Sequence, residues 1–329
     1  MSESVAGPRI AVTGRIPHEG LDMLYAAGDV VAWDSLDVPS IAEVHELVAG
    51  AHAALTLLTT KVDDAFLDAA GAQLKVVANV AVGYNNIDVA ACARRGVVAT
   101  NTPGVLTEAT ADIAMALVLM ATRRLGEGER VIRGGTPWQW GMFYMLGSGI
   151  QGRQLGVVGM GDIGRALARR AKAFGMEIAY SNRKPVAPAV EADLGAQFMS
   201  MEELLATSDV VSINCPYSAA THHLIGPDEL ATMKSTAFLV NTARGPIVDE
   251  AALAAALQAG EIAGAGLDVF EHEPTVHPGL LACANAVLIP HLGSATFETR
   301  AAMARLAAHN AINVLSGVQP PTPIPVPPG

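Results

Sequence analysis

GVVGMGDIG, residues 156 to 164, is the stretch whose reading decides the fold. Gly159, Gly161 and Gly164 stand in G-x-G-x-x-G spacing, an apolar run (154–158) enters the motif, and a stretch of helical composition, IGRALARRAKAFG (163–175), leaves it. The next apolar run, EIAYSN, ends at Asn182, eighteen residues after Gly164. Strand, glycine turn, helix and second strand at this spacing form a dinucleotide-binding βαβ unit. Gly159 allows the tight turn, Gly161 leaves room for backbone to approach a pyrophosphate, and Gly164 lets the helix lie against the strand. The helix N-terminus offers N–H groups and a partial positive charge to the phosphates, which makes Met160, Asp162 and Ile163 cofactor-facing positions too. Asp162 carries the wrong charge for that neighbour, so its side chain is expected to point to solvent.

Outward from this unit the same alternation continues. Apolar runs at 9–14, 54–59, 75–81, 97–101, 210–216, 237–243, 264–270 and 286–290 are separated by Ala-rich helical stretches such as DEAALAAALQAG (249–260), which ends in a Gly at the C-cap position. Strands apolar throughout and alternating with helices imply parallel sheets covered on both faces, an α/β fold. Two breaks interrupt the pattern. NTPGVLTEATAD (101–112) contains Pro103 and Gly104 and then starts a helix, with Thr107 or Thr110 as its cap. PHLGSAT (290–296) precedes a final helix, Phe297 to Leu315, and the tail PPTPIPVPPG reads as an extended terminal arm.

The chain has 329 residues, enough for two domains, and 51% of them are apolar, enough for a sizeable core. Its net charge of −11 argues against nucleic acid or an anionic membrane as the main partner. The three cysteines, Cys92, Cys215 and Cys283, form no CxxC pair and no zinc half-site, and read as buried free thiols in a reducing compartment. MSESVAGPRIAV shows neither signal-peptide nor anchor character, and ADIAMALVLMAT (111–122) is too short to span a bilayer and carries Asp112. The expected location is cytoplasmic. No grouping of the nine histidines has metal-ligand spacing, so no metal is expected.

Against the acidic background, IAYSNRK (178–184) stands out. In an NAD site this strand end carries an Asp or Glu that accepts hydrogen bonds from the adenosine ribose and repels a 2′-phosphate. Here the position is Asn182, followed by Arg183 and Lys184, which can make charge-assisted bonds to a 2′-phosphate, with Ser181 and Asn182 adding neutral ones. NADP(H) is therefore expected to be preferred, with NAD(H) as the alternative cofactor.

Three other segments place polar residues where a buried strand ends. NTARGPIVDE (241–250) holds Arg244, GLDVFEHEP (266–274) holds Asp268 and Glu273, and PHLGSAT holds His291. Ligands bind outside the carboxyl ends of an open parallel sheet, so these segments are expected to converge. Together with GMGDIG and NVAVGYNNIDV (79–89) they closely resemble, in collinear order from about residue 50 to about residue 300, the D-isomer-specific 2-hydroxyacid dehydrogenases, and within that family the glyoxylate/hydroxypyruvate reductases.

The resemblance implies two Rossmann-like, doubly wound domains with a cleft between them. The substrate domain, flavodoxin-like, would comprise 1–101 and 292–329, and the dinucleotide domain 102–291, with hinges at the two breaks. It implies that His291 is the general acid, that Glu273 pairs with it, and that Arg244 binds the 2-oxoacid carboxylate. Val82 and Gly83 match a loop whose N–H groups complete the carboxylate site, and Ser294 a substrate contact. Asp268 matches a position near the nicotinamide, Thr110 one at its phosphate or nicotinamide side, Pro216 one lining the adenine pocket, and Cys215, Thr242 and Ala243 further cofactor contacts. It also implies a homodimer that buries the apolar helix 109–122; Trp138 and Trp140 fit the dimer interface, the substrate mouth or buried packing. The activity implied is reduction of glyoxylate or hydroxypyruvate. The rivals are an NAD-linked D-2-hydroxyacid dehydrogenase for a bulkier 2-oxoacid, and a partner-binding module like the C-terminal-binding-protein corepressors.

Overall fold

Each apolar run becomes a short parallel strand, and the strands assemble into two separate sheets. The computed structural model describes residues 7 to 326; the first six residues, part of the stretch read as lacking a signal segment, and the last three of the Pro-rich tail lie outside the described residues. Contacts divide the chain into one unit of residues 1–106 and 295–329 and another of residues 107–294.

The first unit holds β1 (Arg9–Val12), β2 (Asp29–Ala32), β3 (Ala53–Thr56), β4 (Val76–Asn79) and β5 (Val98–Thr100). They are all parallel, in the order β2-β1-β3-β4-β5. This is the flavodoxin-like order of doubly wound sheets. One face is covered by Val44, Val48, Phe66, Leu67 and Cys92. The helix Phe297–Leu315 packs against the helix His18–Ala27 so closely that a Cβ on Gly20 would lie 2.7 Å from the Cβ of Ala304. In the described part of the tail, Ile324 N–H donates to Ala99 O at 2.9 Å beside β5.

The second unit holds β6 (Gln154–Val158), β7 (Glu177–Ser181), β8 (Ala196–Phe198), β9 (Val210–Ile213), β10 (Phe238–Asn241), β11 (Gly264–Leu267) and β12 (Ala286–Leu288). Their order is β12-β11-β10-β9-β6-β7-β8, all parallel. The direction of winding reverses between β6 and β9, and a crevice for ligand opens at such a switch point, beyond the carboxyl ends of the strands. Side chains alternate across a strand, so Val211 and Leu239 enter the core on one face while Val210 and Val240 enter the core on the other. Burial on both faces is why these strands read as continuous apolar runs.

The helix Thr107–Thr122 buries Ala111, Ala114, Met115, Leu117 and Val118 against its own sheet, while its exposed Glu108 and Asp112 pair with Arg170. Eight of its sixteen residues are thus buried within one chain. Three expectations need correction. Thr107 is the first residue of that helix and Thr110 lies in its first turn, so neither caps it. Trp138 and Trp140 are not buried in this chain, at 51% and 79% exposed. Of the thiols, Cys92 and Cys283 are buried but Cys215 is only half-buried. Among the described residues no helix is long and apolar enough to cross a membrane.

Candidate active site

The glycine turn has the shape its spacing predicts. Gly159 has φ +98°, and a Cβ there would lie 2.6 Å from Cys215 N, while one on Gly164 would lie 2.3 Å from Gly159 O. A Cβ on Gly161 would meet nothing within 4 Å, so open space lies where the motif admits a pyrophosphate. The helix Asp162–Ala173 starts at Gly161 with no side-chain cap, which leaves its first N–H groups for a ligand, and Asp162 is exposed. Cys215 and Pro216 follow β9 directly across the switch point. Beside them, Thr242 Oγ1 and Asn214 Oδ1 are buried with no hydrogen-bond partner among the described residues. Orphaned buried acceptors around an open cradle fit a dinucleotide. Asn214 was not singled out in the sequence; an Asn immediately past a buried strand is the signal that could have found it.

At the end of β7 the amide of Asn182 is already half engaged. Met160 N–H donates to Asn182 Oδ1 at 2.8 Å, and Gly159 N–H donates to Ser181 O at 3.0 Å, so the strand end and the glycine turn are laced together. The Nδ2 end of the amide is left for another acceptor. Arg183 and Lys184 are exposed, and among the described residues neither takes part in an ion pair within 4.0 Å.

The three polar strand ends lie side by side because β10, β11 and β12 are neighbours in the sheet. After β10, Asn241 folds the turn: its Nδ2 donates to Arg244 O (2.9 Å) and its Oδ1 accepts from Ala243 N–H (3.0 Å). Arg244 is thereby presented in extended conformation, its Nη1 donating to Ala243 O at 2.7 Å. Burial pushes its guanidinium pKa down, and the charge of Glu273 opposes this.

After β11, Asp268 is fully buried, and its carboxylate accepts from Leu292 N–H and, at 2.8 Å, from Gly293 N–H. Burial raises its pKa, and these bonds and the charge of His291 only partly offset that. It pins the turn in which His291 sits with φ +52°, a conformation uncommon for a non-glycine residue. Thr110 and Asp268 flank Gly293, since a Cβ there would lie 3.3 Å from Thr110 Cγ2 and 3.1 Å from Asp268 Oδ2; Ser294, half-buried, follows.

His291 Nδ1 stands 2.7 Å from Glu273 Oε2, while Glu273 Oε1 accepts from Phe270 N–H at 2.9 Å. Burial alone would raise the Glu273 pKa, but these two bonds and the charges of His291 and Arg244 bring it below the ordinary carboxylate value. Glu271, the neighbouring carboxylate, is engaged elsewhere, 3.3 Å from His223 Nε2. Val82 and Gly83 belong to the first unit, where their carbonyls accept from Asn101 Nδ2 (2.7 Å) and Asn79 Nδ2 (2.8 Å). Among the described residues no group of three or more His, Cys, Asp or Glu is placed to hold a metal.

A guanidinium, an imidazole held by a carboxylate and a dinucleotide cradle on one sheet edge are the parts needed for hydride transfer to a carbonyl acid. Comparison with known proteins agrees. Residues 115–293 match the family model described as D-isomer specific 2-hydroxyacid dehydrogenase, NAD binding domain. The chain is 46% identical over 320 residues to a glyoxylate reductase of Thermococcus onnurineus, covering 96% of this chain and 95% of that one. It is 47% identical over 320 residues to one of Korarchaeum cryptofilum, covering 95% of each. Among solved structures, an NADPH-dependent glyoxylate/hydroxypyruvate reductase of Sinorhizobium meliloti in complex with NADP and malonate superposes with a TM-score of 0.84, at 35% identity over 97% of each chain. The chain belongs to the D-isomer-specific 2-hydroxyacid dehydrogenase family and is an NAD(P)-dependent oxidoreductase.

Proposed function

We propose that the protein is an NADPH-preferring reductase of small 2-oxoacids, converting glyoxylate or hydroxypyruvate to glycolate or D-glycerate. The observation that carries the cofactor preference is the end of β7: no carboxylate stands there to repel a 2′-phosphate, and two exposed cations follow Asn182. The relatives named above support the substrate class.

Gly159 to Gly164 would hold the pyrophosphate, Ser181 to Lys184 the adenosine 2′-phosphate, Cys215 and Pro216 the adenine, and Thr242, Ala243, Thr110 and Asp268 the remainder. The bound nicotinamide supplies a hydride. Arg244, kept charged by its high intrinsic basicity despite burial, binds the substrate carboxylate and draws electron density toward the carbonyl oxygen. The Val82–Gly83 loop is read as a source of further N–H donors to substrate, and Ser294 as a contact. His291 delivers the proton from Nε2 to the carbonyl oxygen as the carbon accepts the hydride, so one C–H and one O–H bond form and the imidazole is left neutral. Glu273 at Nδ1 fixes the orientation of the ring. The same reading makes the enzyme cytoplasmic and homodimeric; exposed Trp140 and Phe143 are apolar surface that a second copy would cover, which sedimentation of the purified chain tests. A matrix of 2-oxoacids against NADPH and NADH tests the function. The expected result is highest kcat/KM for glyoxylate or hydroxypyruvate with NADPH. Equal rates with both cofactors, or a bulkier 2-oxoacid preferred, would replace this reading with the NAD-linked one.

A further inference from the structure

The loop that carries Glu273 is held at its base by a residue that touches neither Glu273 nor His291 in any bond described above. Glu250 is 5% exposed, and its Oε1 accepts from Glu271 N–H at 2.7 Å while its Oε2 accepts from His277 N–H at 3.3 Å. One carboxylate thus spans both ends of the segment 271–277. The tie is reciprocal, because Glu250 N–H donates to Glu271 Oε1 at 2.8 Å. Glu250 also lies six residues after Arg244, joined to it by the tight turn Gly245–Ile247. That turn presses on the same loop, since a Cβ on Gly245 would lie 1.9 Å from Phe270 C and 2.3 Å from Glu271 N.

We propose that Glu250 is a positioning residue that sets Glu273 against His291 and locks the Glu273 loop to the segment bearing Arg244. The simpler account, an acid favouring the N-terminus of the helix Glu250–Ala259, does not explain its burial. Asp249 already caps that helix by accepting from Ala252 N–H at 2.9 Å, and an exposed carboxylate would serve the helix dipole without desolvation. Burial raises the Glu250 pKa, and the two loop N–H groups only partly offset this. The ionisable groups around it are Glu271 and His277, with Asp249 and His223 beyond Glu271.

This inference rests on the reading of His291 and Glu273 as the acid pair, and the test separates the two. Glu250→Gln keeps the volume but offers one acceptor oxygen to two N–H groups. Expected is a fall in kcat of roughly tenfold to a hundredfold, as for a reacting group misplaced by about 1 Å, with the NADPH Kd unchanged. The alkaline limb of the kcat/KM profile should move to lower pH, as it should in Glu273→Gln. In a Glu273→Gln background the Glu250 substitution should then add less than about twofold. A wild-type rate and profile in Glu250→Gln, or an equal loss in both backgrounds, would overturn the positioning role. A wild-type profile in Glu273→Gln would instead overturn the acid-pair reading beneath it. Should Glu250→Gln not yield folded enzyme, Glu250→Asp, which keeps both oxygens but draws them back from the loop, is judged by the same criteria.

Discussion

If NADPH is preferred as proposed, replacing Asn182 with Asp should shift the preference toward NADH without disturbing the fold of the glycine turn. The structure supplies the reason for both halves of that statement. Met160 N–H needs an acceptor at Oδ1, 2.8 Å away, and a carboxylate oxygen serves as well as an amide oxygen. The change falls on the other end of the side chain, where an NH₂ donor becomes a second oxygen sharing a negative charge. A unit charge about 5 Å from a phosphate carrying about 1.5 to 2 charges, at an effective dielectric near 60 for a half-buried rim, is disfavoured by about 2 kcal/mol. Loss of the neutral hydrogen bond adds about 1 kcal/mol. About 3 kcal/mol corresponds to roughly a hundredfold loss in kcat/KM for NADPH, while NADH gains an acceptor for its ribose hydroxyls. The assay is initial-rate loss of nicotinamide absorbance with glyoxylate and each cofactor at fixed ionic strength, since salt screens the charge. A ratio of the two kcat/KM values within about threefold of wild type would refute the argument that Asn182 faces the 2′-phosphate.

His291→Ala should lower kcat by several orders of magnitude while NADPH still binds, measured by single-turnover rates and quenching of protein fluorescence; a near-wild-type kcat would reject the acid role. Gly245→Ala should destabilise the second unit by about 1–3 kcal/mol, because the new methyl meets backbone on the Phe270–Glu271 side, and should cost activity before it costs folding, read as kcat against Tm. Asp209 is paired with Lys234 (3.1 Å) and Arg153 (3.4 Å) and accepts from Gln154 N–H; burial raises its pKa, but these partners leave it depressed. A depressed carboxylate stabilises above its unfolded pKa of about 3.9 and loses that contribution as pH falls through the folded value. Asp209→Asn should therefore lower Tm at neutral pH, and the gap from wild type should close as pH falls below about 3.9. Burial pushes the Cys215 thiol up to about 11, so iodoacetamide at neutral pH should leave both its mass and the activity of the native protein unchanged.

What the chain discloses before folding follows from how strongly each position is constrained. Central strands are covered on both faces, so β6, β9 and β10 appear as unbroken apolar runs. β2 and β8 stand at sheet edges, with DVVA half-exposed and AQF mostly exposed, and such strands carry no comparable signal. The glycine turn is legible because each glycine answers a local steric demand. Asn182 is legible as a missing carboxylate, but its bond to Met160, twenty-two residues upstream, is not, since nothing in either neighbourhood records it. Glu250 fails for the same reason: in sequence it is one more acid at a helix start. Trp138 is compatible in sequence with a dimer interface, the substrate mouth or buried packing; with no strand or helix to carry it inward, it stacks on Tyr144 at the surface.

A common construction runs through the three strand ends. Beyond β10, β11 and β12 each turn or loop recruits a buried polar side chain to bond its backbone groups. Asn241 does so for the turn bearing Arg244, Asp268 for the turn bearing His291, and Glu250 for the loop bearing Glu273. All three are among the most buried polar residues of the chain, at 1%, 0% and 5% exposure, where an unmet bond is costly to leave. Two of the three are carboxylates whose pKa burial drives up, and the N–H groups of the turns they fold only partly offset this. The exposed half of the site can vary in what it meets, whereas these buried ties fix where Arg244, Glu273 and His291 stand. On the proposed reading, the placement of the reacting groups is thus set one layer below them.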